Sequence, residues 1–238
     1  MILLENLYIS FEDKKVLTGV NLKVNKGETM VIMGCSGCGK SILLKLIIGL
    51  ISPDSGNIWV DGTNITELSE KQMDEVRKRF GMVFQSSALF DSLSVGENVG
   101  ISLLRHTNMS REQIAKVVAE KLELVGLVGS EDLMPSDLSG GMKKRVSLAR
   151  AISMNPEMIL YDEPTTGLDP VMAEEINHLI IKTHDQLNAT SLVVTHDMKS
   201  AFSVATKMAM LNGGKIIASG TPEEFRQSKD PTVRKFLE

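Results

Sequence analysis

The segment Gly34-Cys35-Ser36-Gly37-Cys38-Gly39-Lys40-Ser41 constrains this chain more than any other. It meets every fixed position of G-x-x-x-x-G-K-[ST], a glycine loop that holds phosphate. Such a loop needs a strand before it and a helix after it. Both signals are present. Thr29-Met30-Val31-Ile32-Met33 reads as a buried strand, and the apolar run from Ile42 to Leu50 has a helical period. Successive N–H groups of the loop curl around phosphate oxygens, and the helix N-terminus adds positive potential. Lys40 has the reach for β- and γ-phosphates, and the Ser41 hydroxyl suits Mg²⁺.

The remaining periodicity completes an α/β chain. Strand signals fall at Ile2 to Ile9, Val20 to Val24, Asn57 to Val60 and Gly81 to Phe84. Helical spacing predicts helices at Val95 to Leu104, Arg111 to Val125 and Gly140 to Met154. Alternation then returns, with a strand at Met158 to Tyr161, a helix at Pro170 to Leu187 and a strand at Ser191 to Thr195. A hairpin is expected around Asn212-Gly213-Gly214, joining Met208 to Leu211 with Lys215 to Ala218. Short helices at Pro222 to Gln227 and Pro231 to Leu237 close the chain. The expected organisation is one domain over residues 1–238. Residues 1–85 and 156–220 form a nucleotide-binding core with an antiparallel β part, 86–155 a helical insertion and 221–238 a helical tail.

Composition narrows the function classes. With 238 residues and 42% hydrophobic content, a sizeable core is available. The net charge of −4 gives no broad basic field, so nucleic acid is not an expected partner. Ile42 to Ile51 is too short to span a bilayer and carries Lys45. Met1 to Glu5 lacks the basic flank of a signal peptide, and two cysteines do not make a disulfide scaffold. A cytoplasmic protein is expected. The 14 methionines read as core filler and Trp59 as a strand residue.

Two further places carry chemistry. Met158-Ile159-Leu160-Tyr161-Asp162-Glu163 is an apolar strand ending in two carboxylates. Ligands of parallel sheets sit beyond the carboxyl ends of strands. Asp162 is expected to face the metal and Glu163 the γ-phosphate, where a second acid activates water. Leu138-Ser139-Gly140-Gly141-Met142 opens a helix with Ser139 as N-cap and open N–H groups behind it. Lys143, Lys144 and Arg145 crowd its first turn, where the macrodipole disfavours cations. A nearby anion would offset that, which suggests a second phosphate site. One triphosphate has no evident need of two such sites from one chain, whereas a second copy of the chain would supply one.

The ordered set of motifs resembles the ATPase subunits of ABC (ATP-binding cassette) transporters along essentially the whole chain. Gly34 to Ser41 matches Walker A and Gln85 the Q-loop. Leu138 to Met142 matches the signature, Asp162-Glu163 the Walker B end, Gly167-Leu168-Asp169 the D-loop and His196 the switch histidine. The resemblance implies a P-loop NTPase (RecA-like) core, an N-terminal antiparallel β subdomain and a helical ABC subdomain. It implies ATP and Mg²⁺ as cofactors and a head-to-tail homodimer. Each ATP would lie between Walker A of one protomer and Ser139, Gly140 and Gly141 of the other. In that scheme Gly34, Cys35, Ser36, Gly37, Cys38, Gly39, Lys40, Ser41, Ile42 and Asp169 bind nucleotide. Ser41, Gln85 and Asp162 hold the metal, and Glu163, His196, Gln85 and Lys40 serve hydrolysis. Phe11 matches the adenine-stacking position, which needs only a ring face, with Tyr8 as a competitor. His106, His178 and His184 read as surface residues.

Met142-Lys143-Lys144-Arg145 and the run Gln85 to Leu93 look like the Mla-type (maintenance of lipid asymmetry) branch. That branch implies phospholipid transport at the cytoplasmic face of the inner membrane. Its partners are an integral-membrane permease, an MCE-type substrate-binding protein and a small STAS-domain subunit. The rivals are an ABC ATPase for amino acids or lipoproteins and a non-transport regulator or scaffold. Cys35 and Cys38 form a C-x-x-C pair, one pair short of a zinc site. Their place at a helix N-terminus beside Lys40 predicts lowered thiol pKa values and reactivity that MgATP protects against; the other reading is two small loop fillers.

Overall fold

The computed structural model describes residues 1–237. Strands β1 (Ile2–Phe11), β2 (Lys14–Val24), β4 (Ser55–Val60) and β5 (Thr63–Asn64) make an antiparallel sheet in the order β2-β1-β4-β5. A second, six-stranded sheet runs β10-β9-β3-β8-β7-β6. It joins β3 (Thr29–Met33), β6 (Phe80–Val83), β7 (Met158–Asp162), β8 (Thr190–Thr195), β9 (Lys207–Asn212) and β10 (Lys215–Gly220). All its pairings are parallel except the β9–β10 hairpin. This is the α/β architecture expected.

A parallel sheet covered on both faces needs strands that are apolar throughout. β3, β7 and β8 are buried at every residue. Alternate side chains feed two separate cores. Val31, Met33, Ile159, Tyr161 and Val193 enter one, while Met30, Ile32, Leu160, Leu192 and Val194 enter the other. The second core also takes Leu43, Leu44, Leu46 and Ile47 of α1 (Lys40–Ile47) together with Ile2, Leu4, Leu7 and Leu17. Helix α1 is therefore held between the two sheets. The first core receives α3 (Val95–His106), α4 (Arg111–Leu124), α5 (Gly140–Ala151) and α6 (Pro170–Leu187). Capping boxes at Ser94/Glu97 and Ser110/Gln113 start α3 and α4.

Several boundaries differ from expectation for local reasons. Helix α1 starts at Lys40 rather than Ile42 and ends before Gly49, whose φ of 65° stops it in the left-handed region. β2 begins at Lys14, not Val20, because Glu12 turns the chain tightly out of β1 with a φ of 51°. Two helices were not expected, α2 (Glu70–Arg77) and α7 (Met198–Val204). Their starts are local: a Ser69/Gln72 capping box for α2, and an Asp197 cap on the N–H groups of Lys199 and Ser200 for α7. The tail adds α8 (Pro222–Arg226) and α9 (Pro231–Leu237).

The register of the large sheet sets up everything that follows. Met33 lies opposite Thr195, Asp162 opposite Val194, and Val83 opposite Tyr161. The carboxyl ends of β3, β7 and β8 thus reach one edge together, and the residues just beyond them are Gly34, Glu163 and His196.

Candidate active site

The loop after β3 is a tight turn. The Cys38 N–H donates to the Cys35 carbonyl at 3.3 Å, and Gly37 between them has a φ of 75°, a conformation that favours glycine. At Gly39, with a φ of 104°, an added Cβ would lie 2.9 Å from Val16 Cγ1, so the β1–β2 hairpin closes on the loop. Lys40, only 5% exposed, folds back inside. Its Nζ donates to the carbonyls of Gly34 at 2.9 Å and Cys35 at 3.1 Å, and lies 3.3 Å from Glu163 Oε1.

Two carboxylates face this loop in different settings. Asp162 Oδ1 accepts from Ser41 Oγ at 2.7 Å. Burial pushes the Asp162 carboxyl above its ordinary range; the Ser41 hydroxyl opposes that shift without overcoming it. Glu163 has a φ of 47°, and its N–H donates to the Val194 carbonyl at 2.9 Å. Its Oε2 lies 2.8 Å from His196 Nδ1, 3.3 Å from the His196 N–H and 3.2 Å from Thr166 Oγ1. Burial works against the Glu163 anion, but the His196 contact and the Lys40 charge outweigh it and hold the carboxyl below the usual range. An ionised carboxylate only accepts, so His196 carries its proton on Nδ1.

The oxygen pair Ser41 Oγ and Asp162 Oδ1 fits Mg²⁺, which takes one or two protein oxygens and completes its shell with phosphates and water. No group of three or more His, Cys, Asp or Glu among the described residues is placed to hold a metal.

The other sequence candidates lie further out. Gln85 is exposed, two residues past the end of β6. Ser139 caps α5, its Oγ accepting from the Met142 N–H at 3.3 Å, and both Ser139 and Gly140 are exposed. Gly141 lies under Met172, whose Cε would be 2.2 Å from an added Cβ. Asp169 caps α6 through the N–H groups of Val171 at 3.0 Å and Met172 at 3.1 Å. Ser36 is exposed on the loop, and Ile42 is half-buried against the α1 core. Phe11 and Tyr8 are nearly equally exposed; the Tyr8 ring packs on Gly19, whereas Phe11 ends β1 opposite Lys14.

Three expectations need correction. Burial pushes the Cys38 thiol up, and the charge of Lys40 only partly offsets it, so Cys38 is not the lowered-pKa thiol expected from its helix terminus. His184 is half-buried, with Nδ1 3.3 Å from Thr29 Oγ1. The cations of the α5 first turn do not all await an anion: Lys144 donates to the carbonyls of Gln85 and Glu163, and Arg145 pairs with Glu175. Sequence reasoning also passed over Val16, Thr166 and Arg150, and it read Lys144 only as a cation awaiting an anion. For Lys144 a signal existed, since it shares a helical face with the buried Gly141, Ser147 and Leu148.

Comparison with known proteins extends the geometry. The family described as ABC transporter matches residues 17–166. The chain is 45% identical over 237 residues to the intermembrane phospholipid transport system ATP-binding protein MlaF of Haemophilus influenzae, covering 100% of this chain and 90% of that one. It is 42% identical over 228 residues to the probable ribonucleotide transport ATP-binding protein mkl of Mycobacterium leprae, covering 96% of this chain and 66% of that one. A solved dimeric ATP-binding cassette in a post-hydrolysis state, bound to ADP and Pi, matches with a TM-score of 0.86 at 32% identity, covering 93% of this chain and 99% of that one. Sequence relatives that run the length of the chain, and a fold shared with a nucleotide-holding cassette, agree: this chain belongs to the ATP-hydrolysing, ATP-binding subunits of ABC transporters.

Proposed function

We propose that this chain is the ATPase motor of a phospholipid-transporting ABC system, working as a homodimer with ATP and Mg²⁺ between its two copies. The observation that carries the hydrolytic part is the Glu163 carboxylate, gripped by Lys40 on one side and His196 on the other. Held below the usual range, it is ionised at neutral pH and ready to accept a proton from water. His196 orients it. Lys40 exchanges two neutral carbonyl acceptors for phosphate oxygens, which make stronger, charge-assisted bonds. Ser41 and Asp162 would hold Mg²⁺, which would supply positive charge to offset that of the phosphates. Gln85 reaches the same edge from β6, and Phe11 offers its ring to the base. Gly34 to Ile42 cradles the phosphates of one ATP, while Ser139, Gly140, Gly141 and Asp169 meet the nucleotide of the partner copy. The exposed N–H end of α5 and the dimeric arrangement of the related cassette support that trans geometry.

Mixing two inactive variants tests it. Ser139→Arg places bulk at the partner's nucleotide, and Lys40→Ala empties the loop of its cation. Each is expected to lose hydrolysis alone. Their mixture is expected to recover part of it, because one composite site of the heterodimer carries neither change. Absence of recovery at every ratio, with subunit exchange demonstrated, overturns the trans arrangement.

The lipid reading rests on the MlaF relative and on the Met142-Lys143-Lys144-Arg145 signature. A groove of about 610 Å³ beside the Gln85 loop suits a short helix of an integral-membrane permease. Phe80, Met82, Phe84 and Phe90 line it with apolar surface, and Lys78 and Arg105 add positive charge. An MCE-type protein and a small STAS-domain subunit complete the assembly. The chain itself sits peripherally at the cytoplasmic face of the inner membrane; no helix among the described residues is long and apolar enough to cross one. Purification of the native complex from membranes, followed by lipid analysis, is expected to yield a multi-span partner with co-purified phospholipid. A lone soluble partner, or a permease without phospholipid, overturns this assignment.

A further inference from the structure

Lysine is rarely buried without a carboxylate beside it. Lys144 is 6% exposed and makes no ion pair among the described residues. Its ammonium instead donates to two main-chain carbonyls, those of Gln85 and, at 3.5 Å, Glu163. The first belongs to the loop leaving β6, the second to the residue whose carboxylate is assigned above to water activation. One side chain of α5 thus touches both. Burial pushes the Lys144 ammonium below its ordinary value, and the charges of Asp162 and Glu163 pull part of the way back.

A second cation of α5 works on the same loop. Arg150 donates through Nη2 to the Ser87 carbonyl at 2.7 Å and through Nη1 to the Ala88 carbonyl at 2.6 Å. Ser87 and Ala88 have φ values of 64° and 46°, a left-handed conformation that costs an L-residue about 1–2 kcal/mol. Something must hold them there, and the Arg150 fork does. The carbonyls of residues 85, 87 and 88 are therefore all taken by α5. The loop is thus tied to the helix capped by Ser139, and Lys144 adds a contact from that pair to Glu163, just beyond β7. Glu163 is also left-handed, with a φ of 47°, so the direction of its carboxylate depends on how its peptide groups are held.

We propose that Lys144 is a positioning residue for ATP hydrolysis: it ties the Gln85 loop to the main chain of Glu163, so that the setting of the signature end of α5 determines the aim of the Glu163 carboxylate in the same chain. The proposal rests on the roles given above to Gln85 and Glu163. Four residues separate Gly140 from Lys144, a rise of about 6 Å along the helix. A rotation of α5 that seats Ser139 on a partner's nucleotide therefore moves the ammonium, and with it either the loop, the Glu163 carbonyl or both.

Lys144→Met tests this, since it keeps the aliphatic stem and removes the donors. The change leaves the Gln85 and Glu163 carbonyls without their donor, so the melting temperature is expected to fall, by only a few degrees, while ATP affinity holds. The KM for ATP is expected to stay within about twofold, because Lys144 touches no group assigned to nucleotide binding in the ground state except through Gln85. The kcat is expected to fall by about 10- to 100-fold, the cost of misplacing a reacting group by about an ångström. A kcat within about twofold of wild type overturns the proposal. So does a joint fall of melting temperature, ATP affinity and kcat, which marks a lysine needed only for packing. Should Lys144→Met not fold, Lys144→Gln is read by the same three measurements. The double variant Lys144→Met with Glu163→Gln separates this idea from the dimer reading. It is expected to dimerise on ATP as Glu163→Gln alone does. Loss of dimerisation in the double variant only overturns the positioning role, and loss in Glu163→Gln itself overturns the trans dimer instead.

Discussion

Asp162 and Glu163 are adjacent in sequence and opposite in setting. The Asp162 carboxyl is pushed up by burial, and that of Glu163 is held down by His196 and Lys40 once burial is outweighed. A carboxyl whose folded pKa lies above its unfolded value holds its proton longer in the native state. Its contribution to stability therefore falls as pH rises from the ordinary aspartate range through the raised value. At neutral pH the buried Asp162 anion is a cost to the nucleotide-free protein. Asp162→Asn is expected to raise the melting temperature without nucleotide by a few degrees, at about 2–4 °C per kcal/mol for a chain this size. The same variant is expected to lose most of the further rise that MgATP gives the wild type. Thermal unfolding with and without MgATP reads both, and an unchanged or lower melting temperature in the nucleotide-free variant counts against the assignment. The type of each acid was legible in the sequence. Their opposite pKa directions were not, because they depend on His196, 33 residues away, and on Lys40 and Ser41, which fold back from another loop. For the same reason the rise at Cys38 escaped: position at a helix end was visible, depth was not.

At the scale of elements, what the sequence showed depended on how the ends are marked. β3 and α6 fall where their patterns predict, because Gly34 follows an unbroken apolar run and Asp169-Pro170 starts a helix. Helices α2 and α7 are short, and α2 buries only Met73, so their period was too weak to read. The grip of α5 on the Gln85 loop was invisible, since Lys144 and Arg150 meet carbonyls 59 to 63 residues earlier. That grip rests on close contact between α5 and β6. At Gly81 an added Cβ would lie 2.4 Å from the Ala151 carbonyl and 3.1 Å from Pro156 Cγ. Gly81→Ala is expected to force the strand from the helix and to cost about 1–3 kcal/mol, as overpacking does. Differential scanning calorimetry checks this; a melting temperature equal to wild type would mean that β6 and α5 separate freely.

For the whole molecule, the two sheets and two cores place the hydrolytic edge on the rigid side and the exposed Ser139 end on the helical side. In the proposed dimer, one protomer alone would hold a nucleotide by one surface only. Glu163→Gln keeps the side chain's size and its acceptor oxygen while removing the proton acceptor. It is expected to bind MgATP, to turn over at least about 100-fold more slowly, as loss of a general base implies, and to accumulate as an ATP-dependent dimer. Sedimentation with and without MgATP reads the association; near-normal turnover removes Glu163 as the group that activates water. Helix α1 bears on where motion goes. It buries Leu43, Leu44, Leu46 and Ile47 between the two sheets, and Lys45 is its one exposed residue. Movement driven by nucleotide is therefore expected in the helices packed on the other face of the sheet, α3 to α6, rather than in α1.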